Sequence, residues 1–483
     1  MLDSGPFPRP LRGSTAHPFN TGRKPNGLTS SSLRVGLTAR VSMKHRQLTS
    51  VQTIALGFFL VIMAGTLLLM LPVSSADGTA TGFIPSLFTA TSASCVTGLV
   101  MVDTGTHWSF FGQAVVLVLI QIGGLGFMTI ATLFSKLLKR RMSMHERGVM
   151  AASISSSGIG RITEITGTIG WGTLLFEGVG ALLLCIRFIP ERGFWEGLWF
   201  GIFHSVTAFC NAGFDIIGNY ASLTAYYDDA LVCVTIMALI TIGGLGFLVW
   251  DDIKRNKLSW RRYELQTKLV LLTSLTLTVG GAVLFFFLER NRMNADMTFG
   301  EQVLVSFFSS VTPRTAGYNS VDTAALSPGS KLLTIILMFI GGSSGSTAGG
   351  IKTTTIAVLA VCLLSAARGK RDPEIFGRRI SNDNVRQAGI MVFMNLSLAL
   401  TGALLICLAQ DFELTDVLFE VFSAMGTVGM TTGITRDLND FSAVVITILM
   451  YLGRVGSLSF AMALLERRAH ARVRCPEEPV TIG

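Results

Sequence analysis

The sequence predicts an all-α membrane protein made of four tandem units. Each unit is a transmembrane helix (M1), a short re-entrant pore helix and a second transmembrane helix (M2), giving eight transmembrane helices around a pseudo-fourfold central pore. Three observations predict this class. Half of the 483 residues are hydrophobic and only 14% are charged, whereas soluble domains average about 25% charged residues. Apolar runs of the roughly 20 residues that cross a bilayer recur along most of the chain, as in Val51–Leu71. A glycine-centred motif also returns four times at nearly equal spacing, the signature of internal repetition.

In chain order, residues 1–46 are rich in Pro, Ser and Arg with a single acid, Asp3, and read as a disordered cytoplasmic tail. The composition also suits a transit peptide. A cleaved signal peptide does not fit, because the first apolar run is too long and begins too late. Units follow at 47–148, 149–262, 263–380 and 381–475, with a short tail at 476–483. Their first apolar runs lie at 51–71, 165–189, 267–288 and 386–409.

The motif lies between each first run and the next. Its anchors are Gly98 of VTGL, Gly213 of NAGF, Gly317 of TAGY and Gly429 of TVGM, and Phe88, Phe203, Phe307 and Phe419 each stand ten positions earlier. The near-constant interval between these glycines is that of a tandem array. Thr-Val-Gly is the core of the backbone-carbonyl filter that strips water from potassium in ion channels, and such a filter needs four loops about one axis. Non-helical backbone at membrane depth is tolerated only where protein buries it or water reaches it. Glycine adopts backbone angles that other residues resist, so neighbouring carbonyls can turn toward the axis. The candidate ion-binding residues are therefore Val96, Thr97 and Gly98; Asn211, Ala212 and Gly213; Thr315, Ala316 and Gly317; and Thr427, Val428 and Gly429. Four unrelated tight turns would not share one repeat position. Because the residues beside the glycines differ, fewer well-formed ion sites are expected than in a filter of four identical loops.

Downstream of each of these glycines, an apolar run reaches a glycine cluster: IGGLGF at 122–127 and again at 242–247, IGGSSGSTAGG at 340–350, and LGRVGSLSF at 452–460. The third differs in kind. Each glycine costs about 1 kcal/mol relative to alanine inside a helix, so Gly341, Gly342, Ser343, Ser344, Gly345, Ser346, Thr347, Ala348, Gly349 and Gly350 should break M2 below the filter and form a flap across the pathway. Small-residue helix packing is the competing reading. The Walker spacing of a phosphate loop is absent. Arg454 occupies the matching cluster of the fourth unit. A cation at membrane depth marks a functional site by default, and facing the axis it would slow cations or hold carbonyls freed by the flap; an ion pair with Glu177 is the alternative. Lys352 adjoins the flap.

Charge supplies the topology. Of 39 Lys and Arg, 30 fall in five clusters at 9–46, 136–161, 254–268, 368–386 and 467–474, which the positive-inside rule assigns to the cytoplasm together with both termini. Two crossings and one re-entrant dip per unit return every basic linker to that side. The opposite loops carry 17 of the 30 acids, Asp103, Asp215 and Asp322 among them, and an anionic vestibule concentrates cations. The net charge of +9 is therefore no sign of nucleic-acid binding. His204 and Glu420 share one pore-helix position and read as polar contacts behind the filter; Cys95 and Cys210 read as small packing residues. The seven cysteines show no metal or disulfide spacing.

The stretches TATSASCVTGLVMVDTGT, QIGGLGFMT, AFCNAGFD, TPRTAGYNSVD and GTVGMTTGIT resemble the membrane subunit of the Ktr potassium uptake system, within the Trk/Ktr/HKT superfamily, over residues 48–483. The resemblance implies potassium as the transported ion, sodium as an activator, a homodimer in the lipid of a bacterial plasma membrane, and a cytosolic RCK-type regulatory ring that binds nucleotides. It also implies a potassium-selective role for Gly98, serine there accompanying sodium transport, and an intramembrane gate at Gly341–Gly350 and Arg454. The basic linkers 136–148 and 254–262 are docking surfaces for the ring or ordinary positive-inside anchors. The long basic N-terminus has no counterpart in it. Two rivals stand beside this reading. A sodium-coupled or alternating-access transporter usually shows inverted repeats, whereas these units share one orientation. A hydrolase using Ser343 or Ser344 with His204 lacks any nucleophile-elbow context. No enzyme activity is expected.

Overall fold

The computed structural model describes residues 49–126, 129–130, 132–133, 148–150, 162–257 and 259–456, all within the unit Leu48–Gly483. The basic tail 1–46, most of the linker 136–148, the cluster 467–474 and the tail 476–483 lie outside the described residues. Among the described residues the regular structure is helical apart from one two-stranded hairpin, β1 (Glu374–Ile375) and β2 (Arg378–Arg379).

The helices come in triplets. The first is α1 (Ser50–Leu69), α2 (Phe83–Ser94) and α3 (Phe110–Leu125); the second is α4 (Ile162–Arg192), α5 (Phe194–Phe209) and α6 (Ala230–Leu245), prolonged by α7 (Phe247–Asn256). The third is α8 (Leu265–Glu289), α9 (Phe299–Val311) and α10 (Pro328–Phe339), followed by α11 (Thr353–Ala367); the fourth is α12 (Asn382–Ala409), α13 (Leu414–Gly426) and α14 (Asp440–Val455). Within each triplet all three helices touch. Between triplets, α3 packs on α5, α6 on α9, α10 on α13 and α14 back on α2, so the last helix of each set meets the short helix of the next.

Local chemistry fixes where these helices begin. Thr49 and Gln52 form a capping box on α1, and Thr298 with Glu301 does the same on α9. Each of α3, α6, α10 and α14 opens on a side-chain cap, from Ser109, Asp229, Ser327 and Asn439 respectively. These side chains satisfy N–H groups that the first helical turn leaves unpaired.

Four helices are long and apolar enough to cross a membrane among the described residues, over Gln52–Leu69, Ile165–Arg192, Leu265–Glu289 and Asn382–Ala409. Their large outward side chains are apolar, including Trp171, Leu182, Phe287, Phe393 and Leu408, as a hydrocarbon surround requires. The partner helices are shorter. Helix α3 has 16 residues, fewer than the roughly 20 residues that span a hydrocarbon core.

The glycine clusters explain that shortness and amend the sequence reading, in which only the third M2 was expected to break. Helix α3 stops at Gly126 (φ +80°), α6 at Gly246 (φ +97°) and α14 at Gly456 (φ +91°), while α10 ends at Phe339 before the 340–352 segment. A positive-φ residue ends α3, α6 and α14 at the same repeat position, and α10 stops about one turn earlier. After Gly246 the chain turns by 91° into α7.

The third triplet also shifts register. Phe88, Phe203 and Phe419 are fully buried, but Phe307 is 37% exposed and Phe308, at 1%, fills the equivalent place. Pro313 has no N–H to continue the ladder, so α9 closes on Thr312, whose carbonyl accepts from both Ala316 and Gly317.

Candidate ion-coordinating ring and its plug

Each short helix delivers its C-terminus to an irregular loop of shared conformation. Two residues before each glycine, Val96, Asn211, Thr315 and Thr427 have φ of +58°, +59°, +75° and +51°. The glycines themselves, Gly98, Gly213, Gly317 and Gly429, have φ of +94°, +65°, +80° and +96°. The intervening Thr97, Ala212, Ala316 and Val428 are not left-handed. Such alternation turns successive carbonyls to one side, where a strand would send them to opposite sides.

The loops form a closed cycle. A Cβ built on Gly98 would lie 2.4 Å from the carbonyl oxygen of Ala212, one on Gly213 2.4 Å from that of Ala316, one on Gly317 2.2 Å from that of Val428, and one on Gly429 2.1 Å from that of Thr97. Each glycine thus abuts the carbonyl of the next loop until the fourth returns to the first. All four glycines line one cavity of about 260 Å³, together with Asp215, Tyr220, Asp322 and Arg436. Asp215 lies outside the helices, and burial, reinforced by Asp103, raises its carboxyl to about 7.

Three kinds of contact hold the ring from behind. The N–H of Gly98 donates to Ser92 Oγ at 3.0 Å, and that of Gly429 to Ser423 Oγ at 3.1 Å. The N–H groups of Thr97, Ala212 and Val428 each donate to the carbonyl five positions earlier, at 2.8 Å. Across loops, Asn211 pairs with Thr315 at 3.1 Å. The Tyr318 hydroxyl joins Thr207 and lies 3.1 Å from the Phe214 carbonyl. Glycines 123, 243 and 453 let α3, α6 and α14 seat against the carbonyls of Ser94, Phe209 and Met425, at which a Cβ would stand only 2.0–2.3 Å away.

The segment Gly341–Gly350 runs beneath this ring. A Cβ on Gly349 would meet Thr427 Oγ1 at 2.0 Å. On the second unit, Ser343 N–H donates to the Gly244 carbonyl at 3.0 Å, and Phe247 N–H to that of Gly345 at 2.8 Å. Hydroxyl pairs Ser343–Thr353 (3.1 Å) and Ser344–Thr354 (2.8 Å) fasten the segment to the start of α11, and Ser346 Oγ donates to the Ser343 carbonyl at 2.7 Å. Lys352 Nζ donates to the carbonyls of Ala348 at 2.6 Å and Gly349 at 3.2 Å. Arg454 donates from Nη1 to the Thr347 carbonyl and from Nη2 to that of Gly123, with Gly124 O at 3.2 Å.

The alternative reading of Arg454, an ion pair with Glu177, is not what the structure shows. Glu177 accepts instead from Gln121 Nε2, at 3.0 and 3.2 Å, while Arg454 joins carbonyls at the end of α3 to that of Thr347 in the 341–350 segment. His204 and Glu420 do not meet. His204 Nδ1 is 2.8 Å from the Phe200 carbonyl, and Glu420 accepts from Thr435 at 2.5 Å and Thr431 at 2.7 Å.

Sequence reading missed Ser92 and Ser423, although both stand six positions before a ring glycine; Val311 at that place in the third unit hides the pattern. It also missed Arg314. The side chain is in fact buried behind the third loop, donating to Thr278 Oγ1 at 2.9 Å and to Ser274 Oγ at 2.9 Å.

The sequence and the fold both have known relatives. Residues 31–469 match the family described as TrkH, cation transport protein. The potassium/sodium uptake protein NtpJ of Enterococcus hirae is 42% identical over 449 residues, covering 91% of this chain and 98% of that protein. The Ktr system potassium uptake protein B of Bacillus subtilis is 36% identical over 443 residues, covering 91% and 98%. The crystal structure of the potassium transporter TrkH from Vibrio parahaemolyticus superposes with a TM-score of 0.69 at 17% identity, over 87% of this chain and 86% of that one, a likeness of fold. These relatives are transport proteins, not enzymes. The chain is a membrane protein belonging to the TrkH family of cation transport proteins.

Proposed function

We propose that this protein takes up potassium across the plasma membrane through a filter made by the carbonyls beside Gly98, Gly213, Gly317 and Gly429. Four units of M1, pore helix and M2 surround it with pseudo-fourfold symmetry, eight transmembrane helices in all. The segment Gly341–Gly350, pinned by Lys352 and Arg454, is the gate below. The functional form is a homodimer, regulated by a cytosolic nucleotide-binding ring, with sodium as activator and with both termini cytoplasmic.

One observation carries the reading: each glycine abuts the carbonyl of the next loop, and the cycle closes after four. Carbonyl rings replace the hydration shell of a monovalent cation, and only backbone geometry is common to the four loops. The names of the Enterococcus and Bacillus relatives, potassium/sodium uptake and potassium uptake, point to the same ion. The Ktr system, from which the second takes its name, fits a separate regulatory component.

The test is radioactive rubidium uptake into proteoliposomes holding the purified protein, with no ATP. Uptake down the gradient, blocked by excess potassium, not competed by sodium and stimulated by it, is expected. Gly98→Ser should admit sodium, lowering the rubidium-to-sodium ratio about tenfold, near the effect of about 1.4 kcal/mol. Wild-type protein that passes neither ion, or a Gly98→Ser variant of unchanged selectivity, would overturn the filter assignment.

A further inference from the structure

The cavity above the ring holds a residue out of keeping with a cation path. Asp215 and Asp322 line it, as electrostatic attraction of cations requires, but so does Arg436. This side chain projects from the short turn Ile434–Asp437 that follows the fourth loop. No carboxylate lies within ion-pair distance of it among the described residues. Its guanidinium instead sits 4.0 Å from the centre of the Tyr220 ring.

Both halves of that stack are built in. Tyr220 belongs to a loop in which Asn219, Tyr220 and Ser222 all adopt left-handed backbone, φ +56°, +54° and +48°. Residues other than glycine take that conformation rarely, and a cluster of them persists only where the surroundings enforce it. The Tyr220 N–H donates to Asp103 Oδ2 at 2.6 Å and its hydroxyl to the Met101 carbonyl at 3.2 Å. Burial and the nearby Asp103 raise the Tyr220 hydroxyl above its ordinary range, so the ring is a neutral aromatic face. The turn bearing Arg436 is tied down by Thr431 and Thr435, which both donate to Glu420. A platform from the first and second units thus receives a cation from the fourth.

We infer that Arg436, held on Tyr220 at the mouth of the cavity, selects ions by valence and keeps divalent cations off the carbonyl ring. This rests on the filter reading above. Carbonyl dipoles attract a divalent ion about twice as strongly as a monovalent one of equal radius, and barium is close to potassium in size. The acids of the cavity favour it further. A fixed positive charge opposes both ions in proportion to their charge, so the factor by which it depletes a divalent ion is the square of the factor for a monovalent one. Arg436 gives up a little potassium affinity and gains rejection of divalents.

The test measures rubidium uptake and its inhibition by external barium in proteoliposomes of wild type, R436Q and R436K. If removing the charge lowers half-saturating rubidium about threefold, the half-inhibitory barium should fall about ninefold. R436K should match wild type. The R436Q difference should shrink as choline chloride is raised from about 0.01 M to about 1 M, where screening shortens from about 30 Å to about 3 Å. Should R436Q not be recovered as a monodisperse protein, R436M carries the same expectation. Equal shifts for rubidium and barium, no shift, or an R436K that behaves as R436Q would overturn the role of Arg436. Wild-type protein that takes up no rubidium would instead overturn the filter reading itself.

Discussion

At the level of single residues, the four ring glycines meet two separate demands. Their φ angles are positive, which disfavours any side chain, and a Cβ would strike a neighbouring carbonyl at 2.1–2.4 Å. Each demand alone would select glycine, which is why these positions stand out in the sequence. The left-handed residues two places earlier are different. Val96, Thr315 and Thr427 are β-branched, and strain of this kind costs roughly 1–3 kcal/mol per residue. Nothing in their identity announces it; the closure of the ring imposes it. The hydroxyls of Ser92 and Ser423 help to hold that geometry by accepting the glycine N–H. Ser92→Ala and Ser423→Ala each leave a buried N–H unpaired, at about 1–3 kcal/mol. Each should therefore lower the rubidium-to-sodium uptake ratio about five- to tenfold in protein that still purifies as wild type. Unchanged ratios in both variants would mean that the ring does not depend on these hydroxyls. Arg314 was illegible for a plainer reason: only the fold turns it inward against α8.

At the level of helices, the first member of each triplet was the most legible. Apolar length alone located α1, α4, α8 and α12 to within a few residues. The last member was not, because an apolar run looks continuous whether or not it bends. The spacing Gly-x-x-Gly at 123–126, 243–246 and 453–456 carries both events: the first glycine lets the helix seat on a short-helix carbonyl and the second ends the helix. In the third unit Ser344 stands where the terminating glycine would be, and the chain leaves the helix altogether. Arg454 links the end of α3 to the third unit's irregular segment by donating to the carbonyls of Gly123 and Thr347. If this arrangement bars the pathway, loosening it speeds passage. Arg454→Ala removes charge-assisted hydrogen bonds of about 1.5–3 kcal/mol each and should raise rubidium flux about tenfold. Deleting Ser343–Ala348 should act in the same direction. A folded deletion variant with slower flux, or a neutral Arg454→Ala, would make the segment a structural strut and not a barrier.

For the whole molecule, the unequal loops add up to one cycle: α14 returns to α2 just as Gly429 returns to the Thr97 carbonyl. Four recurrences of phenylalanine and glycine made that arrangement readable in advance. Their register was readable only approximately, since in the third unit Phe308, not Phe307, takes the buried place. Only the first and fourth loops have a serine hydroxyl behind the glycine, and behind the third lies the buried Arg314 guanidinium, so four similar carbonyls are backed by unequal supports. The most direct measurement is an anomalous difference map from crystals grown in rubidium. A peak on the axis, within coordination distance of the carbonyl oxygens of Thr97, Ala212, Ala316 and Val428, is the expected result. Rubidium bound elsewhere with none at the ring, or a ring in which one of these carbonyls faces lipid, would contradict it.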